Sequence, residues 1–395
     1  MDDVAGGDRP VAMQSDITIR RQSRTLQVQQ GSQFLLFDTT GRLLLTSELG
    51  RVVRRGLNHR MLEVKVHRET DGQIWRSYRD LTEQDKEAQL KAITAVIRQA
   101  YKTSAGADRD WLERVLQWSG STLALDETAF RKVYKPVSIL PPDQYHSVVV
   151  QVAEGCSYNQ CLFCDFYRDR PFHIKSLPEL AEHLQGIRNF FGERLQDRSN
   201  VFLGDGNALV IPTTRLLTMM DLIQQNLNPM SDTMAAFMDT FSLERKSTEE
   251  LREIHRRGLD VVYVGLESGA DEVRNLLKKQ GTASDAVEEV SKLKETGYRV
   301  GVILLVGVGG KEMGPIHVRE TDRVLSQLPL TPADIVYLSP FVLPKNPAYI
   351  QQMHEMGMTP YSPEEVQQEW MGWQRRISSL VTAKVTLYSI SEHIY

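Results

Sequence analysis

Three cysteines within nine positions constrain this chain more than any other feature of its sequence. Cys156, Cys161 and Cys164 are the only cysteines among 395 residues, and they follow closely after an apolar run at 147–152. Separate structural thiols would be scattered, whereas ligands that share one bound group are crowded in this way. The spacing therefore predicts a loop that wraps a single small object.

Two kinds of bound group are compatible with three thiolates. A tetrahedral zinc site usually needs four nitrogen or sulfur ligands, so three cysteines leave it one ligand short. The same three can hold three irons of a 4Fe-4S cube, and the fourth iron then stays open to a ligand that is not protein. A group of buried or zinc-binding cysteines remains the alternative interpretation.

Composition excludes several classes of protein. With 47 basic and 51 acidic residues the net charge is -4, which does not indicate a strongly basic nucleic-acid binder. A hydrophobic content of 41% can form a sizeable core. The sequence has no apolar run of about 18 residues, so we expect no membrane span. The polar start of the chain lacks the features of a signal peptide, and we expect a cytoplasmic protein.

The first part of the chain has the pattern of a small α+β domain. Residues 1–15 are small and polar and indicate a disordered lead. The domain is predicted over 16–103, with strands over 34–37, 43–45 and 61–66, a turn at Asp71-Gly72 and a helix that starts at a capping box on Thr82. A helical and proline-rich linker is predicted over 104–145.

One local basic cluster lies in this domain and consists of Arg51, Arg54, Arg55 and Arg60. A solvated or interdomain face is the interpretation that we favour. A patch for a phosphate-bearing or nucleic-acid ligand is the alternative, and its binding would weaken steeply with salt.

After residue 145 the pattern becomes strand followed by helix, repeated six times. The strands are predicted over 147–152, 200–203, 234–238, 260–264, 298–306 and 334–338. Alternating units of this length imply parallel strands with right-handed crossovers. We place this α/β domain at 146–342 and a helical extension at 343–395. Two helices of the extension, at 347–356 and 363–380, and a last strand-like segment at 383–390 could cover the mouth of the domain.

The cysteine loop, in which Phe163 stands before the last cysteine, resembles the cluster loop of the radical S-adenosylmethionine (SAM) superfamily. That loop reads Cys-x3-Cys-x2-Cys, whereas the first gap here is four residues, a Cys-x4-Cys-x2-Cys variant. Similar turns recur in the same order along 147–341. The resemblance implies an iron–sulfur oxidoreductase-like protein with a partial (β/α)6 TIM-like barrel, a small α+β N-terminal domain and a C-terminal helical extension.

The resemblance also implies site residues at the carboxyl ends of the strands, where barrels of this kind collect functional groups. The three cysteines would bind the cluster, a glycine-rich turn after the second strand would hold the SAM ammonium, and Lys279 would face the methionine carboxylate. The implied cofactor-binding residues are Phe163, Gly204, Asp205, Gly206, Asn207, Asp239, Ser242, Glu267, Lys279, Gly307 and Phe341. Helix capping by Asp239 or Ser242, and an exposed helical lysine at 279, remain alternatives.

The chemistry implied by the resemblance is radical chemistry. A reduced 4Fe-4S cluster would cleave SAM into methionine and a 5′-deoxyadenosyl radical, which would take a hydrogen atom from an unidentified small organic substrate. A one-electron donor of the flavodoxin or ferredoxin type would be a partner. No catalytic side chain is identified, and Arg168 and Arg170 are interpreted as bracing the cysteine loop. The alternatives are a tRNA- or nucleic-acid-modifying radical SAM enzyme and a non-enzymatic zinc or iron–sulfur protein.

Overall fold

The computed structural model describes residues 17–68, 74–228, 232–240 and 246–395. Three predicted features lie outside these ranges. They are the lead at 1–15, the turn at Asp71-Gly72 and the site residue Ser242.

Residue contacts divide the chain into two units. The first is Met1–Thr128 with Ile394, and the second is Ala129–His393 with Tyr395. The division falls inside a helix over Gly120–Val133. The finer predicted division, with boundaries near residues 103, 145 and 342, stays a prediction.

The first unit contains a seven-stranded antiparallel sheet in which each strand pairs with its neighbours along the chain. The strands are β1 (Ile17–Arg21), β2 (Thr25–Gln30), β3 (Gln33–Asp38), β4 (Leu43–Glu48), β5 (Arg51–Arg55), β6 (Met61–Arg68) and β7 (Ile74–Asp80). The helices that follow are α1 (Glu83–Thr103), α2 (Gly106–Leu116) and α3 (Gly120–Val133). The predicted α+β character of this region is confirmed.

Apolar side chains at strand and helix spacing form the core of this unit. Leu35 and Phe37 of β3 are buried on one face of the sheet, two residues apart as the strand period requires. On α1, Leu90, Ile93 and Ile97 are buried at helical spacing and belong to the same apolar cluster. The helix begins at the predicted capping box, in which the Thr82 side chain accepts a hydrogen bond from the backbone of the third helical residue.

The arginine cluster of the first unit is largely neutralised by carboxylates. The ion pairs are Arg51 with Glu63, Arg55 with Asp126 at 2.8 Å, and Arg60 with Asp80 at 2.6 Å. Burial would raise the pKa of Glu63, but hydrogen bonds from Arg51 and Arg79 outweigh it and lower that pKa to about 2. The cluster therefore carries less net positive charge than its sequence suggested, which weakens the nucleic-acid interpretation.

The second unit is built from strands and helices in alternation. Its strands are β8 (Val148–Gln151), β9 (Ala153–Glu154), β10 (His173–Ile174), β11 (Val201–Gly204), β12 (Met234–Met238), β13 (Leu259–Glu267), β14 (Arg299–Val306), β15 (Ile335–Pro340) and β16 (Lys384–Leu387). Its helices are α4 (Leu177–Phe191), α5 (Thr213–Leu227), α6 (Thr248–Arg256), α7 (Asp271–Leu276), α8 (Ala283–Glu295), α9 (Gly310–Leu325), α10 (Pro347–Glu355) and α11 (Pro363–Leu380).

Seven of these strands form one parallel sheet in the order β8-β11-β12-β13-β14-β15-β16. Within the described residues β8 and β16 are the two edges, so the sheet is open, as a partial TIM-like barrel requires. All four residues of β8 and β11 are buried, which is typical of parallel strands covered on both faces. The predicted α/β class is confirmed.

The strand count departs from the prediction of six. Residues Lys384–Leu387 pair in parallel with β15, from Ile335 opposite Lys384 to Leu338 opposite Leu387. The interpretation of 383–390 as a cover over the barrel mouth is therefore wrong for this strand. Helix α11 supplies the crossover that returns the chain in the same direction, and its buried Trp373 and Ile377 give it an inward face.

Candidate functional site

The cysteine loop leaves the barrel at the carboxyl end of β8 and is closed at its base. Strands β9 and β10 form a two-residue antiparallel ladder in which Glu154 pairs with His173. Between them lie residues 155–172, which include all three cysteines. Gly155 opens this excursion with a φ of +78°, and a Cβ there would lie 3.0 Å from the Pro171 carbonyl oxygen. Glycine is therefore required where the two ends of the loop meet.

Arg168 braces the loop from within. Its guanidinium donates hydrogen bonds to the carbonyl oxygens of Cys164 at 3.1 Å, Cys161 at 2.6 Å and Asn159. Asn159 has a φ of +48°, and its backbone N–H donates to the Cys156 sulfur at 3.4 Å. One side chain thus satisfies three carbonyl groups of the cysteine loop. The prediction that Arg168 braces the loop is confirmed.

The loop is also attached to the segment after α7. The Leu162 backbone N–H donates to the Leu277 carbonyl at 2.9 Å, and the Tyr158 hydroxyl donates to the Lys278 carbonyl at 2.9 Å. These two bonds hold the cysteines beside the chain segment that carries the next residue, Lys279.

A cavity opens beside the cysteines. The predicted residues that line it are Cys156, Cys161, Phe163, Cys164, Gly206, Asp239, Glu267, Lys279 and Phe341. Gly204, Asp205, Asn207 and Gly307 are not among its lining residues. The cavity therefore brings together residues from the cysteine loop and from the ends of several strands, as the barrel architecture predicts.

The turn after β11 supports the loop through Asp205. Its carboxylate accepts hydrogen bonds from the Gly155 backbone at 3.0 Å and the Gln151 amide at 2.8 Å. Arg170 lies 3.2 Å from the same carboxylate. Burial raises the pKa of Asp205, while Gln151 and Arg170 act in the opposite direction. Asp205 and Arg170 are thus engaged with the base of the cysteine loop, and bracing by Arg170 is confirmed.

Gly206 is a glycine for reasons of close packing. A Cβ at this position would lie 3.2 Å from the Cys156 Cβ and 3.2 Å from the Tyr167 ring. Gly206 also lines the cavity. The glycine-rich turn thus lets the cysteine loop approach the end of β11.

Asn207 and Asp239 form a polar pair at the ends of neighbouring strands. The Asn207 amide donates to the Asp239 carboxylate at 2.8 Å, and its own oxygen accepts the Leu209 backbone N–H at 2.9 Å. Asn207 is buried, whereas Asp239 lines the cavity. The Asp239 carboxylate is therefore held in the cavity wall by the Asn207 amide.

Glu267 and Lys279 form a buried ion pair in the cavity wall. Their charged atoms lie 3.4 Å apart, and each side chain is only 9% exposed. The alternative interpretation of Lys279 as an exposed helical lysine is therefore wrong. A Cβ at Gly265 would lie 3.1 Å from the Lys279 ammonium and closer still to the Glu267 carboxylate, so glycine makes room for the pair.

Burial and neighbouring charges shift the pKa values of Glu267 and Lys279. Burial raises the pKa of Glu267, and Lys279 opposes that shift. Burial would lower the pKa of Lys279, but Glu267 and Cys161 outweigh it and the pKa is raised. The Glu267 carboxylate therefore favours the charged form of the Lys279 ammonium, beside the cysteine loop.

Arg274 joins three segments of the site by hydrogen bonds, and the sequence analysis did not identify this residue. It is 1% exposed, and its guanidinium donates to the Leu266 carbonyl at 2.6 Å, the Thr240 hydroxyl at 2.8 Å and the Gln280 carbonyl at 3.1 Å. Each acceptor is adjacent in sequence to a charged residue of the cavity wall. Nothing in its local sequence distinguishes this arginine from a surface residue of α7.

Gly307 lies at a different cavity. With a φ of +85° it follows β14 and lines a small cavity of about 240 Å³. Phe341 lines both cavities. A Cβ at Gly307 would lie 3.2 Å from Val366, so the structure gives this glycine a packing role against α11.

Comparison with known families identifies the domain that carries this site. Residues 150–319 match the model of the radical SAM superfamily. The chain carries a radical SAM domain. The matched segment includes the cysteine loop, the Asn207–Asp239 pair and the Glu267–Lys279 ion pair.

Individual relatives of the radical SAM domain are distant. The heme chaperone HemW of Bacillus subtilis (strain 168) is 23% identical over 159 residues, which are 39% of this chain and 41% of that protein. The chain thus spans about two fifths of the length of this curated relative. Coproporphyrinogen III oxidase (HemN) of Escherichia coli is 15% identical, with a TM-score of 0.43 over 59% of this chain and 52% of the other.

A third similar protein is a radical SAM methyltransferase, TsrM from Kitasatospora setae. It is 17% identical, with a TM-score of 0.41 over 58% of this chain and 45% of the other.

None of the helices in the described part of the present chain has both the length and the apolar character needed to cross a bilayer.

Burial affects the protonation of the cysteine thiols in the radical SAM domain. Burial raises the pKa of Cys161 to about 11 and that of Cys164 to about 12, and metal binding would have to deprotonate both thiols. Among the described residues, no three His, Cys, Asp or Glu side chains are placed to share one metal ion.

Proposed function

We propose that this chain binds a 4Fe-4S cluster and SAM and uses them for radical chemistry on a small organic substrate. Cys156, Cys161 and Cys164 would hold the cluster. The observation that carries the proposal is the placement of all three cysteines on one closed loop, at a cavity whose wall contains a buried lysine paired with Glu267. When bound together, the cluster and SAM supply a one-electron cleavage of a carbon–sulfur bond.

Residues of the cavity wall would bind and orient SAM. Lys279 would bind its carboxylate, because a fixed buried cation forms a charge-assisted contact with such a group. Asp239, held by Asn207, would accept hydrogen bonds from ribose hydroxyls. The turn from Gly204 would meet the SAM ammonium through backbone carbonyls. Ser242 remains a proposed ribose contact.

The remaining wall would exclude water and enclose the adenosyl group. Phe163, Phe341 and Glu267 line the cavity and form part of the proposed SAM site. Gly307 is a further proposed SAM contact through its backbone, and the support for it is weaker because it lines the smaller cavity. A water-excluding site protects reactive species from side reactions. The electron would come from a flavodoxin- or ferredoxin-type donor.

A non-catalytic role is the second candidate. It is motivated by the relative that carries the name heme chaperone, which matches about two fifths of this chain. This candidate shares the cysteine loop with the leading proposal, and it differs in predicting no turnover of SAM. Nucleic-acid modification has lost most of its support, because three of the four clustered arginines bind carboxylates.

Anaerobic reconstitution of the full chain tests both candidates. We expect about four iron and four sulfide per chain and, after reduction with dithionite, SAM-dependent formation of 5′-deoxyadenosine. Iron-free protein that retains zinc would overturn the proposal. A full complement of iron and sulfide without any 5′-deoxyadenosine would reject the catalytic role and favour the second candidate.

Replacement of a single ligand sharpens this test. Cys161→Ala should abolish the cluster, because a three-cysteine site has no spare ligand in its loop. The matched control is Gln160→Ala, an exposed position in the same loop, which should retain iron and its visible absorbance. Full iron content in the Cys161 variant would show that the ligands are assigned incorrectly.

A further inference from the structure

Most of the cavity wall away from the charged pair is apolar. Representative lining residues are Ile139, Phe166, Phe237, Ile303, Val342 and Ile390. They come from the chain before β8, from the cysteine loop, from β12 and β14, and from the segments after β15 and β16. Apolar groups thus face the cavity from elements on several sides.

The charged groups of the cavity wall already have partners. Lys279 pairs with Glu267 at 3.4 Å, and Asp239 accepts the Asn207 amide at 2.8 Å. If the SAM carboxylate takes Lys279, the described lining residues offer no second cation. A carboxylate or phosphate on the substrate would then lose water without gaining an ion pair, which is unfavourable in a buried site.

The apolar wall continues to the protein surface. Val342 lines the cavity and is 48% exposed, and the next residue, Leu343, is 46% exposed. Exposed apolar side chains that adjoin a cavity are typical of binding surfaces. A substrate longer than the cavity could therefore remain in contact with apolar surface at its mouth.

We propose that the substrate of this radical SAM domain is an uncharged molecule with an extended apolar or aromatic face. This inference rests on the proposed function, since it assigns Lys279 to SAM. It predicts that the reconstituted protein prefers a neutral aromatic ligand over an anionic one of the same skeleton.

Two fluorescent probes test this preference directly. N-phenyl-1-naphthylamine is neutral, and 1-anilinonaphthalene-8-sulfonate has the same ring system with a sulfonate. Titrated into the reconstituted full chain with SAM present, the neutral probe should bind about tenfold more tightly. Equal affinity, or tighter binding of the sulfonate, would overturn the proposal.

A matched pair of variants shows whether the probe occupies this cavity. Val342→Asn should weaken binding of the neutral probe roughly threefold to tenfold, because it removes apolar contact at the mouth. Ile350→Asn is the control, since Ile350 is 46% exposed but is not among the lining residues. Equal effects of the two substitutions, or none from either, would also overturn the proposal.

The same preparations separate this inference from the proposed function. Iron content and 5′-deoxyadenosine formation report on the cluster and SAM. The relative affinity of the neutral and anionic probes reports on the charge preference of the cavity wall. A preparation that cleaves SAM but prefers the sulfonate rejects the substrate class alone. Failure to assemble a cluster rejects the proposed function, and the probe titration of the full chain still reports on the cavity.

Discussion

Two adjacent lysines differ in burial, although they are neighbours in the sequence. Lys278 is exposed, whereas the side chain of Lys279 is 9% exposed and faces Glu267. Their local sequence does not distinguish them, because burial here depends on a chain segment that Arg274 holds against the barrel. The family resemblance identified Lys279 as a site residue, but its pairing with Glu267 follows from the tertiary structure.

We expect Lys279→Met to weaken SAM binding by roughly tenfold to a hundredfold, because a hydrogen bond to a charged group contributes about 1.5–3 kcal/mol. Lys279→Arg should retain most of the affinity, and Lys278→Met should leave it unchanged. Calorimetric titration of reconstituted protein with SAM measures all three. Unchanged affinity in Lys279→Met would remove this residue from the SAM site.

At the scale of elements, prediction succeeded where the pattern is local and repeated. A capping box marked the start of α1 correctly, because Thr82 bonds to backbone within one turn. The segment that forms β16 was predicted to be strand-like, but its position as an edge strand of the sheet was not predicted. Its place in the sheet depends on pairing with β15, far away in sequence.

The Leu49-Gly50 turn between β4 and β5 was missed for a different reason. Both residues have positive φ, +46° and +80°, as a tight two-residue hairpin requires. Leucine rarely adopts this conformation, so the sequence does not signal it. The side chain of Leu49 is 87% exposed, and the twist of the two paired strands imposes the turn.

Arg274 connects the ends of β12 and β13 to the segment that carries Lys279, and we expect it to act as a positioning residue. Arg274→Lys keeps the charge but cannot reach all of these acceptors. It should weaken SAM binding about tenfold while the iron content stays unchanged. Arg256→Lys, at an exposed position of α6, is the control. Loss of iron together with SAM affinity would indicate general damage to the fold instead.

For the whole second unit, stability should depend on pH through its buried histidines. His183 accepts the Gln151 backbone N–H, and His317 contacts Ser268 and the Leu305 carbonyl. Burial lowers the pKa of each to about 4. An unfolded histidine titrates near 6.5, so below that pH the unfolded chain binds more protons and the free energy of unfolding falls until pH 4.

We expect each of these histidines to reduce the free energy of unfolding by about 2 kcal/mol between pH 7 and pH 5. Urea denaturation at the two pH values measures this change. In His317→Gln the decrease should be smaller by about that amount, whereas His354→Gln, at an exposed position, should behave as the wild type. An unaltered pH dependence in His317→Gln would show that this imidazole does not control it.

The bracing of the cysteine loop bears on how the protein matures. Arg168 satisfies three carbonyl oxygens of the loop with protein donors alone, and the β9–β10 ladder closes the base. Protein contacts therefore supply part of the order of this loop. If the proposed cluster binds here, the cluster does not have to supply that part.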